Sequence, residues 1–406
     1  MDDSVQNSPA QGNPTQTAGS EPVPHGVRFF VGFTAVVVAL AVGLLAAWYY
    51  TNSKEKARAV VHAAIVDADE QFALERNYDA SIQTLEKVLD EAKNAGPDVE
   101  CNAKLELAHK KLRFHGDESM IMYGDIFNNP AYNVKCRANA VTFAMMQVAS
   151  FTGPEGPLTL EFVRENVFGP GHLDVLPPGT PLATQADVER AAALAFEKSY
   201  EMYPSHVSAI GAARYYSGYL RGGYKKWDKN SGYIVKMKDA YDRAMPLLEE
   251  ARRKSLEENV HSNTVEYSLG SRLTPLMVFA LTGHGTKEAF YSAAEDVFAY
   301  AEVFRDQSYF PEVLQAITAH KYVSVMALLE KRPFTAAQKD KARQVLEYLY
   351  RLPKEDLAYR AGIRSLASRP KVLFYEPTVY IAKEVDPRLK EVLINDIGGW
   401  TEENFK

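Results

Sequence analysis

Along most of this chain apolar residues recur every three to four positions, the period of one helix face. Two stretches depart from it. Residues 1–27 repeat Ser, Gln, Asn, Pro and Gly with few apolar groups, too little burial to offset the entropy of ordering a backbone, so they read as a disordered tail. Phe29–Tyr50 departs in the other direction, as FFVGFTAVVVALAVGLLAAWYY, twenty-two residues without a charge. As a helix it is about 33 Å long, which matches a hydrocarbon layer of about 30 Å. Trp48, Tyr49 and Tyr50 supply an aromatic interfacial end. Residues 28–50 are therefore predicted to be a transmembrane anchor in contact with a lipid bilayer. A cleaved signal peptide fits less well, since the run is long, only Arg28 precedes it, and no small-x-small cleavage site comes before the aromatics.

Ala35, Ala39, Gly43 and Ala47 recur every fourth residue, a small-residue face on which two membrane helices could approach closely and self-associate. Such stripes also arise readily in alanine-rich spans. Arg28 precedes the anchor, whereas Lys54, Lys56 and Arg58 follow it, which leans toward a cytosolic soluble body by the positive-inside rule. The excess is small, and the side stays open.

After the anchor the helical period resumes. Val60, Ala63, Ala64, Ala68 and Phe72 form one apolar side, and Ile82, Leu85, Val88 and Leu89 the next, as in an αα-hairpin. A further helix starts at Pro97, and others follow to Ala149. The stretch GPEGP, FGPGH and LPPGTP within residues 151–181 predicts a loop or hinge around one short helix in LTLEFVRENVF. From residue 182 to 406 the pattern is again helix after helix. The one extended run, near Val372, is short and followed by Pro377, so it defines no sheet. The soluble part thus divides into helical regions 51–150 and 182–406, and the fold class is all-α.

A second spacing is superposed on the first. An aromatic is followed after three residues by a small side chain, after four more by a large apolar one, and after three more by a small one: Tyr241, Ala244, Leu248, Ala251 and Tyr291, Ala294, Phe298, Ala301. Looser copies are Tyr78, Ser81, Leu85, Val88, then Ala192, Phe196, Ser199 with Pro204 beyond, and Ala342, Leu346, Leu349. Large groups fill a groove and small ones admit the neighbouring backbone, so the alternation predicts stacked helical hairpins. It resembles the second helix of the tetratricopeptide repeat. Ala192, Ala244, Ala294 and Ala342 are 52, 50 and 48 residues apart, against about 34 in the family. The resemblance implies a superhelix after the anchor, with a concave surface for protein or peptide partners. Bacterial envelope proteins of this kind, which point to a bacterial cell membrane, and mitochondrial receptor-like proteins share the order of anchor and repeats.

Composition narrows the function. Lysine plus arginine number 46 against 52 acidic residues, a formal net charge of −6, so no basic domain suited to nucleic acid is expected. Two cysteines, Cys101 and Cys136, exclude a disulfide scaffold, and packing thiols are expected over a bridge between them. GHGTK at Gly283–Lys287 lacks the spacing of a phosphate loop and reads as a helix stop. The nine histidines include no HExxH and no close ligand cluster. No cofactor, metal or catalytic residue is therefore expected.

The richest recognition candidate is Tyr215, Tyr216, Tyr219, Arg221, Tyr224, Lys225, Lys226 and Trp227, whose rings could pack a peptide while the cations orient acidic groups. Tyr215 and Tyr219 read equally well as interhelical packing, and the lysines as a solvated turn. The reading is a single-pass membrane-anchored helical-repeat scaffold or adaptor, not an enzyme. Its alternatives are a structural subunit of a membrane complex and a hydrolase whose site assembles from distant residues.

Overall fold

The computed structural model describes residues 25–73, 75, 77–111, 115–151, 159–168, 172–219, 232–308, 310–352, 375–397 and 399–406. Within its helices the side chains of residues 25–39, 46, 73, 149–151, 185, 218, 219 and 397 fall outside that description. Of the expected tail, residues 1–24 lie outside it, as do the extended run near Val372 and part of the 151–181 loop, whereas His25, Gly26 and Val27 are helical. Every regular element among the described residues is helical, so the chain is all-α. It divides into two units, Met1–Lys56 and Ala57–Lys406.

Helix α1 runs His25–Ala73. Of the small-residue stripe, Ala35 and Ala39 lie outside the described side chains, a Cβ on Gly43 would meet nothing within 4 Å, and Ala47 is exposed. Among the described residues no helix is long and apolar enough to cross a membrane, and the side chains of residues 29–39 and 46 lie outside the description.

In the larger unit the buried side of α1 is Ala57, Val61, Ala68 and Phe72. This corrects the expected face by one residue, for Val60 is 51% exposed and Ala63 is exposed as well. The shift has a packing cause. Val61 meets Ala92 and Ala103, and Ala68 meets Ile82, Leu85 and Leu107, which fixes the rotation of α1 over the hairpin that follows. That hairpin is α2 (Tyr78–Lys87), α3 (Leu89–Ala95) and α4 (Pro97–Lys111). Asn77 caps α2 by accepting from the Ala80 amide, and the Ser81 hydroxyl donates to the Ala68 carbonyl across the α1–α2 contact at 2.7 Å.

The chain continues as α5 (Gly116–Asn128), α6 (Val134–Phe151) and α7 (Leu160–Phe162), the last extended by a π-helical turn over Val163–Val167. Next come α8 (Gln185–Met202), α9 (His206–Tyr219), α10 (Gly232–Glu258), α11 (Asn263–Ser271) and α12 (Leu273–Thr282). After them lie α13 (Lys287–Val303), α14 (Phe310–Leu329) and α15 (Ala336–Tyr350). Two shorter helices, Tyr375–Glu384 and Arg388–Val392, follow, and a π-helical turn over Leu393–Ile397 and a 3-10 turn over Glu402–Phe405 complete the described part. Starts follow local chemistry: Thr184 with Asp187 and Thr335 with Gln338 form capping boxes. Gly283 ends α12 in the left-handed conformation and Thr286 caps α13, so GHGTK is a stop followed by a start.

Two layers organise this unit. In the first, α6 packs on α9, α9 on α11, α11 on α14, and α14 on Tyr375–Glu384. The second contains α8, α10, α13 and α15, four of the helices that carry the repeated spacing, and most of its small and large positions are buried, Ala192, Phe196, Ala244, Leu248, Ala294, Phe298, Ala342 and Leu346 among them, while Ala251 is half-buried. One apolar cluster extends from Cys101 to Phe405. Close approach is visible at Gly211 of α9, where an added Cβ would lie 2.5 Å from the Phe196 ring. Tyr215 then stacks on that same ring at 5.5 Å.

Cys101 on α4 and Cys136 on α6 form a disulfide with Cα atoms 6.4 Å apart. This corrects the expectation of packing thiols. Packing of α4 against α6, with α5 between them in sequence, brings residues far apart in sequence side by side, a proximity that spacing alone does not reveal.

Candidate recognition site

A ladder of ion pairs, several of them solvent-exposed, links neighbouring helices of the second layer. Arg243 of α10 grips Glu197 of α8 at 2.7 and 2.9 Å, Arg252 of α10 reaches Asp296 of α13 at 3.1 Å, Lys341 of α15 reaches Glu295 of α13 at 2.7 Å, and Arg388 reaches Glu347 of α15 at 2.7 Å. Rings reinforce it, with Phe298 of α13 stacked on Tyr348 of α15 at 4.4 Å. The most buried member is Arg272, 4% exposed, which bridges Asp296 at 2.7 Å and Glu249 at 3.4 Å and donates to the Ala293 carbonyl. A charge so deeply buried needs all these partners, so the cluster is structural.

The predicted aromatic patch is only partly within the described residues. Tyr215 is 5% exposed, stacked on Phe196, with its hydroxyl at 3.5 Å from the Met146 carbonyl. Its role is packing between α6, α8 and α9, and it offers no free ring. Tyr216 is 3% exposed, and burial, with the Glu197 carboxylate adding to it, pushes its phenol above the usual range. The side chain of Tyr219 and all of Arg221, Tyr224, Lys225, Lys226 and Trp227 lie outside the described residues.

Tyr216 nonetheless edges a cavity of about 260 Å³. Four segments build it: the turn Pro177–Thr180, Arg190 and Leu194 one turn apart on α8, Tyr216 on α9, and Tyr233 and Lys236 on α10. The turn is set locally, because Gly179 adopts φ +78°, a conformation glycine tolerates, and the Thr180 amide and hydroxyl both donate to the Pro177 carbonyl. Tyr216 and Tyr233 rings are 6.2 Å apart, and the Lys236 ammonium sits 5.9 Å from the Tyr216 centroid. Arg190, Tyr233 and Lys236 were missed by sequence reasoning. Their only signals were the i, i+4 spacing of Arg190 with Leu194 and the i, i+3 spacing of Tyr233 with Lys236, indistinguishable from a solvated helix face.

Elsewhere the residue types of hydrolytic chemistry meet without access. His206 Nδ1 lies 2.9 Å from the Ser268 hydroxyl, but Ser268 is 0% exposed, so no acyl group can reach it. Burial lowers His206 to about 4. His261 and Glu266 pair at 2.6 Å under the rings of Tyr300 and Phe304, where burial raises the Glu266 carboxyl above its ordinary range. Among the described residues no group of three or more His, Cys, Asp and Glu side chains could hold a metal ion.

Comparison with protein-family models, with curated proteins and with solved structures gives no match to this chain.

Proposed function

We propose that this chain is a single-pass membrane-anchored helical-repeat scaffold of the tetratricopeptide kind, which binds other proteins and performs no covalent chemistry. The observation that carries this reading is the second-layer ladder, in which α8, α10, α13 and α15, four of the helices bearing the repeated spacing, are paired each to the next, as in an array built from nearest-neighbour contacts. In such an array the first-layer helices are the expected recognition face, and Phe143 on α6 and Ile317 on α14 are half-buried apolar residues of that layer. The anchor rests on the charge-free run Phe29–Tyr50. Its described part supports that role, because Leu40, Leu44, Leu45 and Trp48 are 63%, 71%, 65% and 65% exposed, a surface suited to lipid and costly in water.

The Cys101–Cys136 bond supports a body on the oxidising side of the membrane, since buried structural disulfides persist there. The basic residues after the anchor lean the other way. Their excess is small, and large domains translocate largely regardless of flanking charge, so the disulfide carries more weight in this reading.

The test uses the full-length chain in membranes. A photo-crosslinking residue at Phe143 or Ile317 is expected to give a discrete protein adduct, whereas Lys254 or Ala299, exposed on α10 and α13, gives none. Absence of adducts from both faces, or equal labelling from both, argues against a first-layer recognition surface. Release of the intact chain by alkaline carbonate argues against the anchor.

A further inference from the structure

We propose that the cavity between the Pro177–Thr180 turn and helices α8, α9 and α10 binds an acidic side chain of a partner peptide. This rests on the scaffold reading and adds to its first-layer face a separate contact, made by α9 with the starts of the second-layer helices α8 and α10.

Charge pairing distinguishes the cavity from its surroundings. On the same helices Arg243 is held by Glu197 at 2.7 Å, Lys238 by Asp242 at 2.5 Å and Lys198 by Glu201 at 3.1 Å. Arg190, half-buried, and Lys236 form no ion pair among the described residues, although both line the cavity. The acids closest to Tyr216 are already committed, for Glu197 and Asp239 both pair with Arg243, the latter at 3.0 Å. Asp187, on the first turn of α8, spends its hydrogen bonds in the capping box with Thr184 and feels Arg190 only as a weaker, unbonded charge. Two cations that form no ion pair among the described residues thus line one concavity in a chain of net charge −6.

Size and lining identify the occupant. About 260 Å³ is below the usual range of a cofactor pocket and suits one or two side chains. The prolines, Leu194 and the two tyrosine rings offer an apolar wall to the stem of a residue, while Arg190 presents a fork that matches a carboxylate. A bare inorganic anion would use the cations and leave that wall empty.

Full-length protein in nanodiscs, titrated by fluorescence anisotropy with a labelled Gly-Phe-Glu-Glu-Gly peptide, is expected to bind it saturably, and the Gly-Phe-Gln-Gln-Gly peptide at least about tenfold more weakly. Arg190→Gln and Lys236→Gln each weaken the acidic peptide about tenfold, Arg190→Lys restores most of the loss, and about 0.5 M salt reduces binding. Circular dichroism of each variant separates lost binding from lost folding. Three results overturn the proposal: no saturable binding up to millimolar peptide, equal binding of the glutamine peptide, or unchanged affinity in folded R190Q and K236Q. Displacement by inorganic phosphate at the same concentrations as the peptide also overturns it and makes the cavity a free-oxyanion site. Any of these outcomes with first-layer crosslinks at Ile317 intact refutes the cavity alone, whereas loss of those crosslinks refutes the scaffold.

Discussion

The ring of Phe72, on the last turn of α1, stacks on Phe310, the first residue of α14, with centroids 5.9 Å apart and planes inclined by 26°. Phe72 also meets Tyr78 at 5.0 Å and His109 at 6.4 Å, and the Lys110 ammonium lies 4.7 Å from its centroid. Nearest-neighbour stacking alone would not bring α1 to α14. The contact therefore couples the beginning of the helical body to its later half.

From this coupling, Phe72→Ala is expected to destabilise the full chain by about 3–5 kcal/mol, the usual range for truncating a buried phenylalanine. A double-mutant cycle with Phe310→Ala should give a coupling of about 1 kcal/mol, as expected for an aromatic pair. Strict additivity in urea melts would show that the two rings are merely adjacent.

Phe298→Ala tests the repeat register separately. Phe298 is 3% exposed and stacked on Tyr348, and a loss of about 3–5 kcal/mol is expected. A change below about 0.5 kcal/mol would place the ring outside the core and undo the assignment.

The repeat landmarks were legible because each lies within one helix, where spacing alone specifies a face. Ala244, Leu248, Ala294 and Phe298 are buried where the pattern put them. The rotation of α1 was not legible, since Val60 and Val61 are both valines and only the docking of Ala92 and Ala103 chooses between them. The cavity was illegible for a related reason: Arg190, Tyr216 and Lys236 come from three helices and converge only after packing. Tyr215 and Tyr216 looked like a recognition patch because aromatic composition is the same for a core and for an interface.

Gly211→Ala opposes two effects whose magnitudes differ. Alanine gains about 1 kcal/mol of helix propensity in α9. The new methyl, however, would lie 2.5 Å from the Phe196 ring, itself pinned by Tyr215 at 5.5 Å, and overpacking of a core costs about 1–3 kcal/mol. Net destabilisation is expected in thermal melts, and a raised Tm would show that Phe196 has room to move.

Acid sensitivity should trace in part to His320. Its ring is 1% exposed on α14, with Nε2 at 3.4 Å from the Thr378 hydroxyl, and burial lowers it from 6.5 to about 4. Because the folded value is depressed, the unfolded chain binds the proton first as pH falls, so this contribution to stability is present above about 6.5 and is lost between there and about 4. The shift corresponds to about 3 kcal/mol at the acid end. Urea midpoints measured from pH 7 to pH 4 should fall, and His320→Gln should flatten that slope; an unchanged slope in a folded variant assigns the acid sensitivity to other groups.

The Cys101–Cys136 disulfide makes the membrane side testable through chemistry. It closes a segment of 35 residues between α4 and α6, a constraint on the unfolded chain worth about 4 kcal/mol in the loop-entropy model. In membranes prepared with thiols trapped at lysis, neither cysteine of the full-length protein should take up a maleimide polymer after denaturation, and both should do so once reductant is added. The pair Cys101→Ser with Cys136→Ser should lower stability by a few kcal/mol and remove the effect of reductant on it. An alkaline phosphatase fused after Lys406 should then be active, because that enzyme requires an oxidising compartment. Two freely reactive thiols together with an inactive fusion would place the body on the reducing side, where the positive-inside bias of Lys54, Lys56 and Arg58 would put it.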